Sequence, residues 1–405
     1  MISFEHLANP QKRALELIRE TAAEKQCRPF LVGGPVRDLL LGRHVVDIDI
    51  ALENDSSVLA RALAKRLNAR VRSFPQFMTY KVTADSLPEI DIATARKERY
   101  PKPGALPSVQ AGKLRDDLLR RDFAINAMAL DVISGELHDP ADGKSDLDGK
   151  RVRVLHDASF VDDPTRIFRA IRLATRLGFR IEPHTKDLMR QAIDGGALST
   201  VAKERIWREL FLAMDEPAAP EILTAFTEHG ATRALFSART PSRARLELAR
   251  AQVEASPELD HHALYTGILL HGNASPVDLE GSGFSQKRAR NVVQIANELP
   301  RFTDALSEAK SERQRFRLLK HASPEMRSML AAMTPREQQH VARYEEFRQF
   351  KLPLRGTDLE VPLGPHIAKA LERTREAVFT GEIDPDEART FAREMAIKYL
   401  DRESK

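Results

Sequence analysis

The chain is predicted to be α+β, with a mixed head in its first third and an all-helical remainder. Up to about residue 155, strand-like runs alternate with helical ones. From about Asp162, helical patterns follow one another to the end, with short breaks at Asp215–Pro220, Gly281–Ser285, Lys351–Gly356 and Val361–Pro365. There is no repeat of fixed period and no low-complexity tract.

The elements of the head follow from local pattern. Asn9–Lys25 has helical period, and Pro29–Gly33 reads as a short strand. Asp38–Gly42 fits a helical turn, and Val45–Leu52 alternates like a strand. Ser56–Arg70 returns to helical period, while Met78–Ala84 and Ile90–Thr94 read as strands. Three prolines and a glycine in Pro101–Pro107 predict a loop. Ile125–Val132 and Arg151–Val154 read as further strands.

Composition bounds the function classes. The 405 residues, 42% hydrophobic and 30% charged, exclude wholesale disorder. No stretch approaches the roughly 18 apolar residues of a membrane helix, and the start MISFEHLANPQKR lacks a signal pattern. A single cysteine, Cys27, rules out an internal disulfide and a Cys-based zinc cluster. A cytoplasmic chain with no membrane and no disulfide-linked partner is therefore expected. The net charge of +4 allows a polyanionic partner.

The most informative stretch is LVGGPVRDLLLGRHVVDIDIA, Leu31–Ala51. Asp47 and Asp49 lie two apart in an apolar strand-like run, so a period of two puts both carboxylates on one face. Such a pair is costly unless a cation neutralises it. Hard oxygen ligands favour Mg²⁺, which usually also takes substrate phosphates. Gly33 and Gly34 lie upstream, where glycine lets backbone N–H groups approach phosphate. Taken singly, Asp-x-Asp is a solvated strand end, Gly-Gly a turn, and Arg37–Asp38 a surface ion pair.

In combination, Gly33, Gly34, Val36, Arg37, Asp38, Leu40, Leu41, Gly42, Asp47 and Asp49 resemble the head motif of class II tRNA nucleotidyltransferases and bacterial poly(A) polymerases. Four further stretches resemble that family's later motifs. They are Arg120–Ala129 (RRDFAINAMA, with Ala124 in place of the usual Thr), Asp139–Leu147, Asp162–Arg172 and Lys203–Leu210. Leu354–Ala388 resembles the family's tRNA-gripping tail, and Ala95–Val109 its mobile loop.

The resemblance implies a polymerase-β-like nucleotidyltransferase head with a mixed sheet over residues 1–155. A helical neck (156–215), body (216–350) and tail (351–405) would follow. Asp47 and Asp49 would be catalytic and bind Mg²⁺. Gly34, Arg37, Arg121, Asp122, Asp163, Arg166, Arg169 and Arg172 would bind the nucleotide. Among these, Asp122 would serve the ribose, and Asp163 with Arg166 would read the base edge of CTP or ATP. The implied reaction adds C, C and A to the 3′ end of tRNA and releases pyrophosphate.

Several readings stay open beside it. Arg120–Asp122 alone is a charged turn, and Asn126 can be structural. Arg166, Arg169 and Arg172 recur every three residues, which also describes a solvated helix face. Asp91 is either a third acidic residue of the site or a solvated strand carboxylate. Trp207 suits the core better than a base platform. Asp139–Leu147 is assigned a turn or hinge role. Lys287, Arg288, Arg290 and Arg301 offer a surface for RNA phosphates, with a solvated face as the default. His261, His262 and His271 lack a neighbouring His-Asp dipeptide and read as ordinary histidines. A CC-only or A-only enzyme, a poly(A) polymerase and an inactive RNA-binding protein are the alternative functions.

Overall fold

Alternation of apolar and polar residues sets the head's sheet. The computed structural model describes residues 7–85, 87–236, 241–272 and 274–403. Two compact units are present, Met1–Ser237 with Gly281–Gly283, and Ala238–Glu280 with Phe284–Lys405.

In the first unit the main sheet has strands β1 (Phe30–Val32), β2 (Ile48–Leu52), β3 (Arg70–Phe74), β4 (Thr79–Thr83) and β5 (Ile90–Thr94). A hairpin follows, β6 (Arg96–Arg99) and β7 (Ser108–Ala111), then β8 (Ala129–Asp131) and β9 (Leu137–His138). The seven-stranded order is β3-β4-β5-β2-β1-β8-β9, with β6 and β7 forming their own sheet. Only β2 and β5 run parallel within the main sheet, so it is mixed. Ile48, Ile50, Leu52, Val82, Ile90 and Ile92 are buried on one face. Helices α1 (Asn9–Glu24) and α3 (Ser56–Leu67) pack together, and α3 also packs on β3–β5. The short α2 (Gly34–Leu40) leaves β1 through Gly33, whose φ of 77° suits a residue without Cβ.

Further helices complete this unit: α4 (Leu114–Leu119), α5 (Gly143–Asp148), α6 (Ser159–Asp162), α7 (Thr165–Leu177), α8 (Pro183–Asp194), α9 (Lys203–Met214), α10 (Ala219–Glu228) and α11 (Ala231–Leu235). A two-stranded parallel sheet, β10 (Arg151–Val152) with β11 (Arg180–Ile181), lies among them. Trp207 on α9 is a core residue, 2% exposed and packed near Phe211 and Phe236. Asp139 caps α5 by accepting from the N–H groups of Gly143 (2.7 Å) and Lys144 (2.8 Å), which gives the third motif its turn role.

The second unit is helical: α12 (Arg243–Ala255), α13 (His261–Leu269), α14 (Gln286–Glu308), α15 (Glu312–His321), α16 (Pro324–Met333), α17 (Pro335–Gln349), α18 (Pro365–Phe379) and α19 (Ala388–Glu403). Arg288, for which a solvated face is the default expectation and an RNA surface the alternative, pairs with Asp260 at 2.5 Å. The expected boundary at residue 350 falls inside this unit. Phe316 and Phe347 stack with centroids 4.8 Å apart, and Phe379 closes on both. Arg375 of α18 donates to the carbonyls of Phe347 (2.5 Å) and Phe350 (2.8 Å).

Several sequence expectations shift. The predicted strand Ile125–Val132 is a 3₁₀ turn, Ala124–Asn126, followed by β8. β2 begins at Ile48, so Asp47 stands just before the strand rather than within it. Among the described residues, no helix is long and apolar enough to cross a membrane.

Candidate active site

The sheet brings two carboxylates together that are far apart in sequence. Asp49 is directly opposite Asp91 in the parallel β2–β5 pair. Both point to the face away from the buried isoleucines, as the period of two requires. Asp47 is exposed at the entrance to β2. The Asp49 carboxyl is pushed up to about 6, first by burial and then by Asp91 and Asp47, with Arg121 and Lys81 opposing. Burial also raises Asp91, although Lys81 lies 3.6 Å away. One Asp91 oxygen is buried without a hydrogen-bond partner. Clustered carboxylates with an unsatisfied buried oxygen are a donor set that suits a hard divalent cation.

Beside them is a cavity of about 510 Å³ that Asp49, Gly34, Arg121, Asp122, Asp163, Arg166 and Arg169 all help to line. A Cβ on Gly33 would come within 2.5 Å of Arg121 Nη1 and displace that guanidinium, while the φ of 77° is what favours glycine there. Arg121 is held by Asp117 at 2.9 Å, and its Nε is buried with no acceptor. A fixed cation beside a glycine turn, with a spare donor, is suited to bind an anion.

Asp122 sits behind this wall. Oδ1 accepts from Phe123 N–H (2.9 Å) and Asn126 Nδ2 (3.0 Å), and Oδ2 accepts from Arg169 Nε (3.0 Å) and Nη2 (2.6 Å). Burial acts to raise its pKa, but Arg169 and Asn126 hold it at about 2. A carboxylate has about four lone-pair sites, and four donors fill them. The expected contact with the ribose therefore requires one of these donors to let go.

Arg37 and Arg172, expected beside the nucleotide, are not among the residues that line this cavity. Arg37 is buried, chelates Asp38 (2.9 and 2.8 Å) and donates to Asn126 Oδ1 at 2.6 Å. Asn126 thus pins α2 to Asp122. Arg172 bridges Glu209 and Glu216, each at 3.2 Å, and so joins α7 to α9.

At the far side of the cavity, Asp163 precedes α7. Its Oδ1 takes Thr165 N–H (3.2 Å), Thr165 Oγ1 (2.7 Å) and Arg205 Nη2 (2.8 Å). Arg166 is buried, donating to Ser159 Oγ (2.6 Å) and Arg120 O (3.0 Å), with Tyr100 beside it. Arg205 also donates to Gly104 O at 3.0 Å, tying the tip of the β6–β7 hairpin to α9. Neither Arg205 nor Tyr100 is a site residue by sequence. The sequence alone shows no partner for either. Arg208 is exposed at the cavity rim, with no ion pair among the described residues.

Comparison with known proteins agrees with this architecture. Residues 29–153 match the poly A polymerase head domain, and 178–242 the probable RNA and SrmB-binding site of polymerase A. The chain is 35% identical over 307 residues to the A-adding tRNA nucleotidyltransferase of Halalkalibacterium halodurans, covering 73% of this chain and 72% of that one. It is 43% identical over 205 residues to the Aquifex aeolicus A-adding enzyme, covering 50% of this chain but only 25% of that longer protein. A similar match to the Geobacter sulfurreducens enzyme covers 24% of that protein. Among solved structures, a CCA-adding enzyme in its apo form superposes with a TM-score of 0.82 at 26% identity, covering 98% and 97% of the two chains. The Thermotoga maritima CCA-adding enzyme complexed with tRNA gives 0.78 at 26% identity, covering 98% and 97%. The fold and cleft are those of a polymerase-β-like head joined to helical domains, and the chain belongs to the tRNA nucleotidyltransferase and poly(A) polymerase family.

Proposed function

We propose that the chain adds C, C and A to the 3′ end of tRNA from CTP and ATP without a nucleic-acid template. The observation that carries this is one cavity lined by Asp49 on one side and by Asp163 and Arg166 on the other. A reacting centre and a base-reading pair therefore share the space of one nucleotide. Related proteins named for CCA, CC or A addition support the reaction class.

The tRNA 3′ oxygen attacks the α-phosphorus, forming an O–P bond as the bond to pyrophosphate breaks and the hydroxyl proton is released. Asp47 and Asp49, with Asp91 beside them, would hold Mg²⁺, which supplies charge neutralisation and a lowered hydroxyl pKa. Arg121 and the Gly33–Gly34 turn bind the phosphates. Asp163 Oδ2, with no protein donor among the described residues, accepts the exocyclic amino group of cytosine or adenine. Arg166 donates to the adjoining ring acceptor. Arg37 and Arg172 brace the walls, and Arg169 holds Asp122. Catalysis by positioning and charge stabilisation is the pattern expected of phosphoryl transfer. The four-part division into head, neck, body and tail remains part of this proposal, with tRNA held by the helical portions.

A-only addition is the second reading. It is favoured by the A-adding names of relatives at 43%, 41% and 35% identity. Incubating the protein with tRNAs ending at the discriminator base, at C or at CC, with each labelled NTP, tests both. Extension of all three substrates to CCA supports the first reading, and extension of the CC-ended tRNA alone supports the second. No incorporation on any of them overturns both.

A further inference from the structure

Strand β3, at one edge of the sheet, carries two arginines, Arg70 and Arg72. Arg70, Val71, Arg72 and Ser73 are all exposed. The register places Arg72 opposite Lys81, Lys81 opposite Asp91, and Asp91 opposite Asp49. Directly opposed residues share a face. One row therefore crosses four strands from the sheet edge to the carboxylate centre and reads Arg, Lys, Asp, Asp. Strands lie about 4.8 Å apart, so Arg72 stands about 14 Å from Asp49. None of Arg72, Lys81 and Asp91 lines the nucleotide cavity, so the row leads away from it.

Lys81 is already committed. It pairs with Glu89 and lies 3.6 Å from Asp91. Arg72 has no carboxylate partner among the described residues, and its guanidinium sits over the Phe74 ring, 5.0 Å from the centroid. Like charges directly opposite each other destabilise a sheet. An anion laid over the pair turns that cost into binding. The incoming nucleotide fills the cavity on the other side of Asp49. The open row is thus a route by which the acceptor strand can bring its hydroxyl to Asp49.

We propose that Arg72 and Phe74 form a subsite for the single-stranded 3′ end of the RNA acceptor. The guanidinium pairs with a phosphate upstream of the reacting hydroxyl, and the Phe74 ring offers a stacking face to a base. Cations and aromatic faces are the usual combination for single-stranded nucleic acid. This rests on the nucleotidyl-transfer reading above.

The test compares wild type, Arg72→Glu and Arg72→Lys, using tRNA acceptors with normal phosphates or with uncharged methylphosphonates at the linkages behind the terminal nucleotide. Arg72→Glu raises KM for the normal acceptor about 10-fold and leaves KM for CTP within about twofold, as expected for one lost phosphate contact. Arg72→Lys recovers most of the loss. On the uncharged acceptor, wild type and Arg72→Glu converge. Unchanged acceptor KM in Arg72→Glu, or an equal penalty on both acceptors, overturns the subsite and leaves Arg72 as a guard against edge pairing. Absence of incorporation by wild type overturns the nucleotidyl-transfer reading, and the subsite with it.

Discussion

Arg205 joins Asp163 to the hairpin tip: one guanidinium nitrogen lies 2.8 Å from Asp163 Oδ1 and the other 3.0 Å from Gly104 O. The planar fork spans two acceptors that a lysine cannot bind in the same geometry. Asp163 Oδ1 is thereby satisfied, and Oδ2 is turned to one use. Gly104 adds its own constraint, since a Cβ there would meet Thr200 and its φ is 70°.

Arg205→Lys is therefore expected to loosen base choice while the protein stays folded. A lost charge-assisted bond of about 1.5–3 kcal/mol corresponds to roughly 10- to 100-fold in KM for CTP and ATP. Single-nucleotide incorporation with all four NTPs measures it. Unchanged KM values and ratios would show that Arg205 serves only to hold the hairpin.

Asp163→Ala is expected to raise UTP and GTP incorporation relative to CTP and ATP. Uracil presents O4 where cytosine presents an amino group, so an ionised Asp163 meets an acceptor. Leaving a buried polar group unpaired costs about 1–3 kcal/mol, more for a charge. Discrimination of about 10- to 100-fold or better follows at 1.4 kcal/mol per tenfold. The structure separates the two partners of the pair. Arg166 is buried against Ser159 and Arg120, so Arg166→Ala is expected to lower thermal stability as well as selectivity. Wild-type NTP ratios in a folded Asp163→Ala protein would place base reading elsewhere.

Local pattern explains why much of this architecture was visible in the sequence. α1 and β5 lie within a residue of the predicted runs, because each has a clean period and a defined start. Asp49 points away from the buried isoleucines as the period of two requires, whereas its pairing with Asp91 depends on strand order, a long-range fact. β3 was missed because R-V-R-S-F has no buried face to impose alternation; all but Phe74 are exposed. Arg37 and Arg172 were expected at the nucleotide from motif position alone. Their acceptors, Asn126 and Glu209, are distant in sequence, so only the fold shows these two contacts.

The carboxylates divide by role. Asp49→Ala or Asp47→Ala is expected to abolish incorporation while tRNA binding stays within a few-fold. Asp91→Asn should lower the rate at least about 100-fold, a loss of about 2.8 kcal/mol at roughly 1.4 kcal/mol per tenfold. The motive is its register opposite Asp49 and its unsatisfied buried oxygen. Titrating Mg²⁺ at fixed CTP distinguishes the possibilities: the Asp91→Asn protein should need more metal for half-maximal rate. A near wild-type rate at ordinary Mg²⁺ would make Asp91 a solvated strand carboxylate.

Truncation after Phe350 is expected to destabilise the helical unit itself. It would remove Phe379 from the rings of Phe316 and Phe347, and Arg375 from two carbonyls. Phe379 is half-buried, so its loss costs less than the about 3–5 kcal/mol of a fully buried Phe. A point change tests tRNA contact more cleanly. Lys369→Glu, on a groove that also carries Arg317 and Lys320, should weaken tRNA binding more than CTP binding. Its melting temperature should stay near that of the wild type. Unchanged tRNA affinity would remove this groove from the RNA surface.

Asp122 supplies a pH signature. Its carboxyl is held at about 2, against 3.8 for a free aspartate. A depressed folded-state pKa gives stability that is fully present above the unfolded value and is lost as pH falls through the folded one. The contribution is thus complete above about pH 5 and fades between about 4 and 2. At 1.36 kcal/mol per unit it amounts to about 2 kcal/mol. Asp122→Asn removes this charge from between Arg169 and Asn126, so unfolding by urea at pH 7 should show a loss of about 2 kcal/mol or more. The gap between mutant and wild type should narrow as the pH is lowered from 5 toward 3. The mutant should also lose incorporation out of proportion to its stability, because Arg169 and the α2 turn lose their common anchor. A constant stability gap over that range would mean that Asp122 acts by packing and hydrogen bonding rather than by its charge.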